Sequence, residues 1–200
     1  MVEERQAGFT LVEMLVCLAL AALIGTLLVN AVRITGTASA AMSRAAAAEE
    51  VQSVRDHLRH TLGSLARRRA EGARPALLGG PGALSAVIGP DRSVERPAEL
   101  VVALAAIDRA DGGYDLVERR AAPDAPPEDA PDARREVLLE RVAGLAIRYF
   151  GAPAEGMRPG WHAAWASPDR QPTLLEIEVT FAAADRRRWP PLLVALGDRP

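Results

Sequence analysis

Residues Phe9 to Val32 read FTLVEMLVCLALAALIGTLLVNAV, an unbroken apolar run whose only charge is Glu13. At about 1.5 Å of rise per helical residue the run reaches roughly 36 Å, enough to cross a hydrocarbon core of ~30 Å. A secretory signal would be shorter and would end at a small-residue cleavage site. The stretch Leu27-Leu28-Val29-Asn30-Ala31-Val32-Arg33 offers no such site, so the run is expected to stay in the mature protein as a membrane helix.

Moving toward the C-terminus, Ala38 to about Arg69 is rich in Ala, Glu and Arg and contains no Pro. Val51, Val54, Leu58, Leu62 and Leu65 recur at spacings of 3, 4, 4 and 3, which is the single apolar stripe of an amphipathic helix. Only Gly36, between Thr35 and Thr37, interrupts the path from the apolar run. One long helix from Phe9 to about Arg69 is therefore predicted, with Gly36 the place for a kink. Its first half is hydrophobic all round and its second half is one-sided.

Beyond Arg69 the period changes. Gly and Pro recur at short intervals, and between them lie candidate strands Leu84–Ile88, Leu100–Ala106, Tyr114–Arg119, Val142–Phe150, Leu174–Phe181 and a weaker Leu192–Leu196. In the fifth, Leu175, Ile177, Val179 and Phe181 alternate with Glu176, Glu178 and Thr180, the pattern of an antiparallel strand with one wet face. Asp111-Gly112-Gly113 is a hairpin turn. Ala121–Ala133 (AAPDAPPEDAPDA) carries four prolines and four acids and reads as a solvated loop. The order predicts an α+β fold in which an antiparallel sheet packs on the helix stripe. Four segments follow: residues 1–8 a leader, 9–32 the transmembrane helix, 33–70 the amphipathic helix and 71–200 the β domain.

Composition narrows the function classes. Of 200 residues, 49% are hydrophobic and 25% charged, ordinary for a folded chain. The net charge of −2 gives no global basic field, and the triplets Arg67-Arg68-Arg69 and Arg186-Arg187-Arg188 lack the interleaved aromatics of a nucleic-acid surface. No nucleic-acid partner is expected. Cys17 is the single cysteine, which excludes an intramolecular disulfide and disfavours a cysteine metal site. His57 and His60 sit one helical turn apart, but no third ligand is evident and Arg55 and Arg59 oppose a cation; both read as solvated helix residues. Asp108, Asp111 and Asp115 do not match a calcium loop, and the hairpin accounts for Asp111 and its glycines. No metal or cofactor is expected. Motifs for an acyl-transfer nucleophile, a phosphate loop, a dinucleotide fold or a zinc protease are absent from the sequence, and the chain is not expected to be an enzyme. Trp161 and Trp165 form a candidate recognition surface, Trp being enriched at interface hot spots. The competing reading has them cap the sheet core, and core is favoured for at least one.

Glu13 carries a physical argument of its own. A carboxylate this deep in an apolar helix costs up to about 2.5–3.5 kcal/mol at the helix centre and less near an end, and such groups usually have a partner. The string Gly8-Phe9-Thr10-Leu11-Val12-Glu13, behind the polar leader MVEERQAG, resembles the type IV prepilin signal. The resemblance implies cleavage between Gly8 and Phe9 by a prepilin peptidase, N-methylation of Phe9, and pairing of Glu13 with a neighbour's freed amine during assembly. The leader departs from the usual basic pattern in carrying Glu3 and Glu4 against Arg5.

Farther on, the succession Leu100–Leu104, Leu116-Val117-Glu118-Arg119-Arg120, Val142–Phe150, Trp161 and Trp165, and Pro172 before Leu174–Phe181 resembles the J-type minor pseudopilin of the type II secretion system. The likeness runs from Phe9 to about Phe181; residues 182–200 match nothing in it. It implies a pilin-like fold and a structural protein at or near the tip of a periplasmic pseudopilus, where it helps initiate assembly for protein export. The implied partners are the I-type and K-type minor pseudopilins, the major pseudopilin and the prepilin peptidase, with secreted substrates or the secretin as further contacts. The implied location is the inner membrane, single-pass, with the C-terminal domain in the periplasm. Two alternatives stand beside it: a minor pilin of a type IV pilus, and a membrane-anchored periplasmic binding module or enzyme whose N-terminus resembles the signal by chance.

Overall fold

The computed structural model describes residues 11–65, 76–89, 99–122, 133–167 and 169–196, with side chains described outside 31–40. The leader, the Gly8-Phe9 junction, the predicted helix end at 66–70 and most of the Pro/acidic loop lie outside the described residues. Helix α1 runs from Leu11 to Gly63 and continues through Gly36. Eight strands follow: β1 (Leu77–Gly79), β2 (Ala83–Ile88), β3 (Leu100–Asp108), β4 (Tyr114–Ala121), β5 (Arg134–Gly151), β6 (Gly160–His162), β7 (Leu174–Phe181) and β8 (Leu192–Ala195). The architecture is α+β. Two compact units divide the chain, Met1–Ala46 and Ala47–Pro200, so the last turns of α1 belong with the sheet.

All strand pairs are antiparallel, in the order β1-β2-β3-β4-β5-β7-β8, with β6 on β5. Six strands fall on the predicted segments; β1 and β6, at three residues each, are too short to show a period. The largest difference is β5, eighteen residues long instead of nine. Its first half pairs with β4 and its second half with β7. The change of partner occurs at Arg141, which has φ of 53°, and at an irregular register between Val142 and Gly144. An extra residue here bends the strand and sharpens its twist. The sheet curls far enough for Gly79 of β1 and Trp165, beyond β6, to exchange backbone hydrogen bonds of 2.9 and 2.7 Å. Ile147 N–H also donates to Pro81 O at 2.8 Å. Gly79 is needed at this closure: a Cβ there would collide with the Tyr149 hydroxyl, which donates to Gly80 O at 3.0 Å.

Inside the curl, Val54, Leu58 and Leu62 of α1 join Leu84, Leu104, Leu116, Leu139, Ile147, Tyr149, Leu175 and Ile177 in one core, and Val51 is buried beside them. Full burial of such a side chain contributes roughly 1.5–3 kcal/mol, far more than helix propensity. Leu65 is buried too, but not as a helix residue. Past Gly63 the chain turns, Ser64 hydrogen-bonding back to Thr61, and Leu65 bridges Ile88 as a strand. Core burial of Leu65 is thus reached after the helical period has ended.

Candidate functional site

Residues Leu11–Asn30 form a 20-residue segment of α1 with mean hydropathy 2.5, none of it buried in the chain's own fold. Leu11, Leu15, Leu18, Leu23, Leu27 and Leu28 are all exposed. A helix apolar on every side needs lipid or other helices around it. Glu13 lies in its first turn, and Gly8 and Phe9 lie outside the described residues.

The two tryptophans separate. Trp165 is 1% exposed, lies in the main core, packs edge-on to His162 and donates its indole N–H to Arg170 O at 2.9 Å. It is a core residue and not part of a recognition surface, because the curl of the sheet closes over it. Trp161 is 42% exposed, with the Phe150 ring 5.3 Å away and the Arg148 guanidinium 5.2 Å from its centroid.

His57 is not simply a solvated helix residue. Its Nε2 lies 2.9 Å from Oε2 of Glu118, whose side chain is 0% exposed. Arg120 holds the other carboxylate oxygen through Nε. Burial works to raise the Glu118 pKa, but the His57 and Arg120 contacts outweigh it and hold the carboxyl below its usual range. The sequence holds one sign of this cluster, since Leu116, Glu118 and Arg120 share the inward face of β4 in a period of two. Glu118 is a charge at a core position.

A second clamp uses Arg187. It donates to Glu50 of α1 at 3.1 Å, to Asp185 at 2.8 Å and to Glu140 O at 2.8 Å, and its guanidinium lies 4.4 Å from the Phe181 centroid. The hydrogen bond to Asp185 raises the Arg187 pKa and lowers that of Asp185. The Arg186-Arg187-Arg188 triplet is therefore not uniformly solvated, because Arg187 ties helix to sheet. At the β3–β4 hairpin, Gly112 and Gly113 have positive φ, and Arg109 binds Asp111 and Asp115, each at 2.8 Å. Those hydrogen bonds lower both carboxyl pKa values, an arrangement an arginine already completes. Among the described residues no group of three His, Cys, Asp or Glu side chains is placed to hold a metal ion.

No curated protein gives a significant match to the chain. The prokaryotic N-terminal methylation motif matches residues 5–29, so the N-terminal helix begins with a prepilin signal of the type IV pilin-like kind.

Proposed function

We propose that this chain is a minor pseudopilin of the type II secretion system, of the J type, acting as a structural subunit and not as an enzyme. The observation that carries the reading is the methylation motif at residues 5–29, set on a helix that finds no cover for its apolar sides within its own fold. In this reading the peptidase cuts between Gly8 and Phe9, Phe9 is N-methylated, and the helix passes from the inner membrane into a filament core. The sheet domain stands in the periplasm, and Glu13 pairs with the freed amine of a neighbouring subunit. The pilin-like arrangement of a helix stripe under an antiparallel sheet supports it, as does the order of hairpin, long strand and Trp pair. The I-type and K-type minor pseudopilins, the major pseudopilin and the prepilin peptidase are the proposed partners.

Intact mass and N-terminal sequencing of the protein from membranes, with and without a prepilin peptidase, test the processing step. A chain beginning at Phe9 with one added methyl group, only when the peptidase is present, is expected. A start at Met1 or Val2 in both would overturn it. Co-purification with I-type and K-type pseudopilins, lost in Glu13→Leu while the sheet domain stays folded, tests the finer assignment; association with type IV pilus subunits instead would move the protein to that filament.

A further inference from the structure

Past Phe181 the chain leaves the sheet, turns where Asp185 N–H donates to Ala182 O at 2.9 Å, and rejoins the sheet at β8. Pro190 and Pro191 have no N–H to donate, and among the described residues 186–191 make no backbone–backbone hydrogen bond. Side chains hold the segment instead. Asp185, Arg187 and Trp189 are half-buried in a period of two, while Arg186, Arg188 and Pro190 between them are exposed. Two of the half-buried three reach α1. Arg187 donates to Glu50 at 3.1 Å and to Glu140 O of β5 at 2.8 Å. Trp189 packs against the main core and donates its indole N–H to Ile177 O at 2.9 Å, and its ring centre lies 6.0 Å from the Arg55 guanidinium carbon. Around the helix, Val54, Val51 and Arg55 follow Glu50 at about 40°, about 100° and about 140°. The two contacts on α1 therefore bracket Val51 and Val54, the first two members of its buried stripe.

This fastening differs from that of the sheet. Strands β4, β5 and β7 are tied by continuous ladders, whereas 182–191 depends on Arg187 and Trp189, and segments held without a ladder open locally at lower cost than the core. The closed position also carries a defect. Nε of Arg55 is buried and, among the described residues, has no hydrogen-bond partner. A desolvated donor without an acceptor disfavours the arrangement that buries it. Moving Trp189 away lets water reach that atom, so opening exchanges the Arg187 contacts for solvation of Arg55.

We propose that residues 182–191 are a releasable strap that holds the Glu50–Arg55 turn of α1 to the sheet and opens as a unit, baring Val51 and Val54, while the sheet stays folded. The strap is independent of the filament reading, since it rests on these contacts alone.

The test is thiol labelling of the full chain in lipid nanodiscs with an aromatic disulfide. Val51→Cys places a thiol between the two contacts on α1, and Val102→Cys places one in β3, where the natural residue is also buried. Mass spectrometry separates either labelled peptide from that of Cys17. Amide exchange across β5 and β7 checks that the sheet of each variant is folded. Labelling of Val51→Cys is expected to be at least about tenfold faster than that of Val102→Cys. Adding Arg187→Gln should accelerate it by a further three- to tenfold or about that. Adding Arg55→Met, which keeps the apolar stem and removes the unpartnered donor, should slow it. The Val102→Cys rate should stay within about twofold in both backgrounds. Equal rates at the two thiols in chains whose sheet amides stay protected would overturn the proposal, since the segment would then open only with the whole fold. A Val51→Cys rate unmoved by Arg187→Gln, or accelerated by Arg55→Met, would overturn it as well.

Discussion

The His57–Glu118–Arg120 cluster gives a prediction in which acid acts in opposite directions on the natural protein and on a variant. Replacing either partner alone, His57→Leu or Arg120→Met, removes one charge-assisted hydrogen bond from Glu118, a loss of about 1.5–3 kcal/mol. For the unit Ala47–Pro200, a loss of about 2 kcal/mol lowers Tm by roughly 4–8 °C. The double variant leaves a fully buried carboxylate with no counter-charge from the cluster, so its cost rises beyond either single to about 3–5 kcal/mol. In the natural protein the Glu118 pKa is held down. Its contribution is therefore complete above the ordinary carboxylate pKa and is lost as pH falls through the lower folded value. In the double variant burial alone acts and raises that pKa, so acidification from neutral pH should relieve the penalty and narrow the Tm gap to the natural protein. Glu118→Leu added to the double variant should recover most of the lost stability. Tryptophan fluorescence follows the melt cleanly, because Trp161, Trp165 and Trp189 all lie in the sheet unit and none in the apolar helix. A double variant no less stable than the singles, or one whose deficit widens on acidification, would refute the claim that these two side chains hold the Glu118 charge.

Trp165→Ala should cost about 3–5 kcal/mol by opening a cavity in the core, whereas Trp161→Ala, which removes only exposed ring and cation–π contacts, should stay within about 1 kcal/mol; paired thermal melts separate them. Gly79→Ala should destabilise the sheet closure by about 1–3 kcal/mol through its collision with the Tyr149 ring end, and Tyr149→Phe in the same chain should recover part of that in urea unfolding. Millimolar calcium should leave Tm unchanged, because Arg109 already occupies Asp111 and Asp115; a calcium-dependent rise in Tm would show that the carboxylates outcompete their arginine.

Much of the fold was legible because its elements announce themselves over several residues. The 3, 4, 4 spacing of Val51, Val54, Leu58 and Leu62 marks a helix face, and the alternation from Leu174 to Phe181 marks a strand, since each pattern repeats long enough to exclude the other period. The failures have local causes. Residues 134–141 of β5 read RREVLLER, with charges on both faces; the segment is largely exposed, pairs with β4, and buries only Leu139 fully, so it shows no period of two. Leu65 kept the helical spacing by coincidence, its burial coming from the bridge to Ile88. β1 and β6 are held by pairing with a neighbour and not by any pattern of their own.

The sites divide by how far apart their parts lie along the chain. The methylation motif was readable because it is a short continuous stretch, residues 5–29, that needs no partner from elsewhere in the chain to be recognised. Glu118 finds its partner 61 residues away at His57, and Arg119 and Arg135 meet only through the register of β4 on β5. One-residue alternation puts Glu118 in the core and Arg119 on the opposite face, so adjacent members of Leu116-Val117-Glu118-Arg119-Arg120 serve opposite faces of one strand. A slip of β4 by a single residue would move the carboxylate out of reach of His57 and carry Arg119 into the core. The buried charge that helps hold the helix to the sheet therefore also favours this register of β4 over its one-residue neighbours.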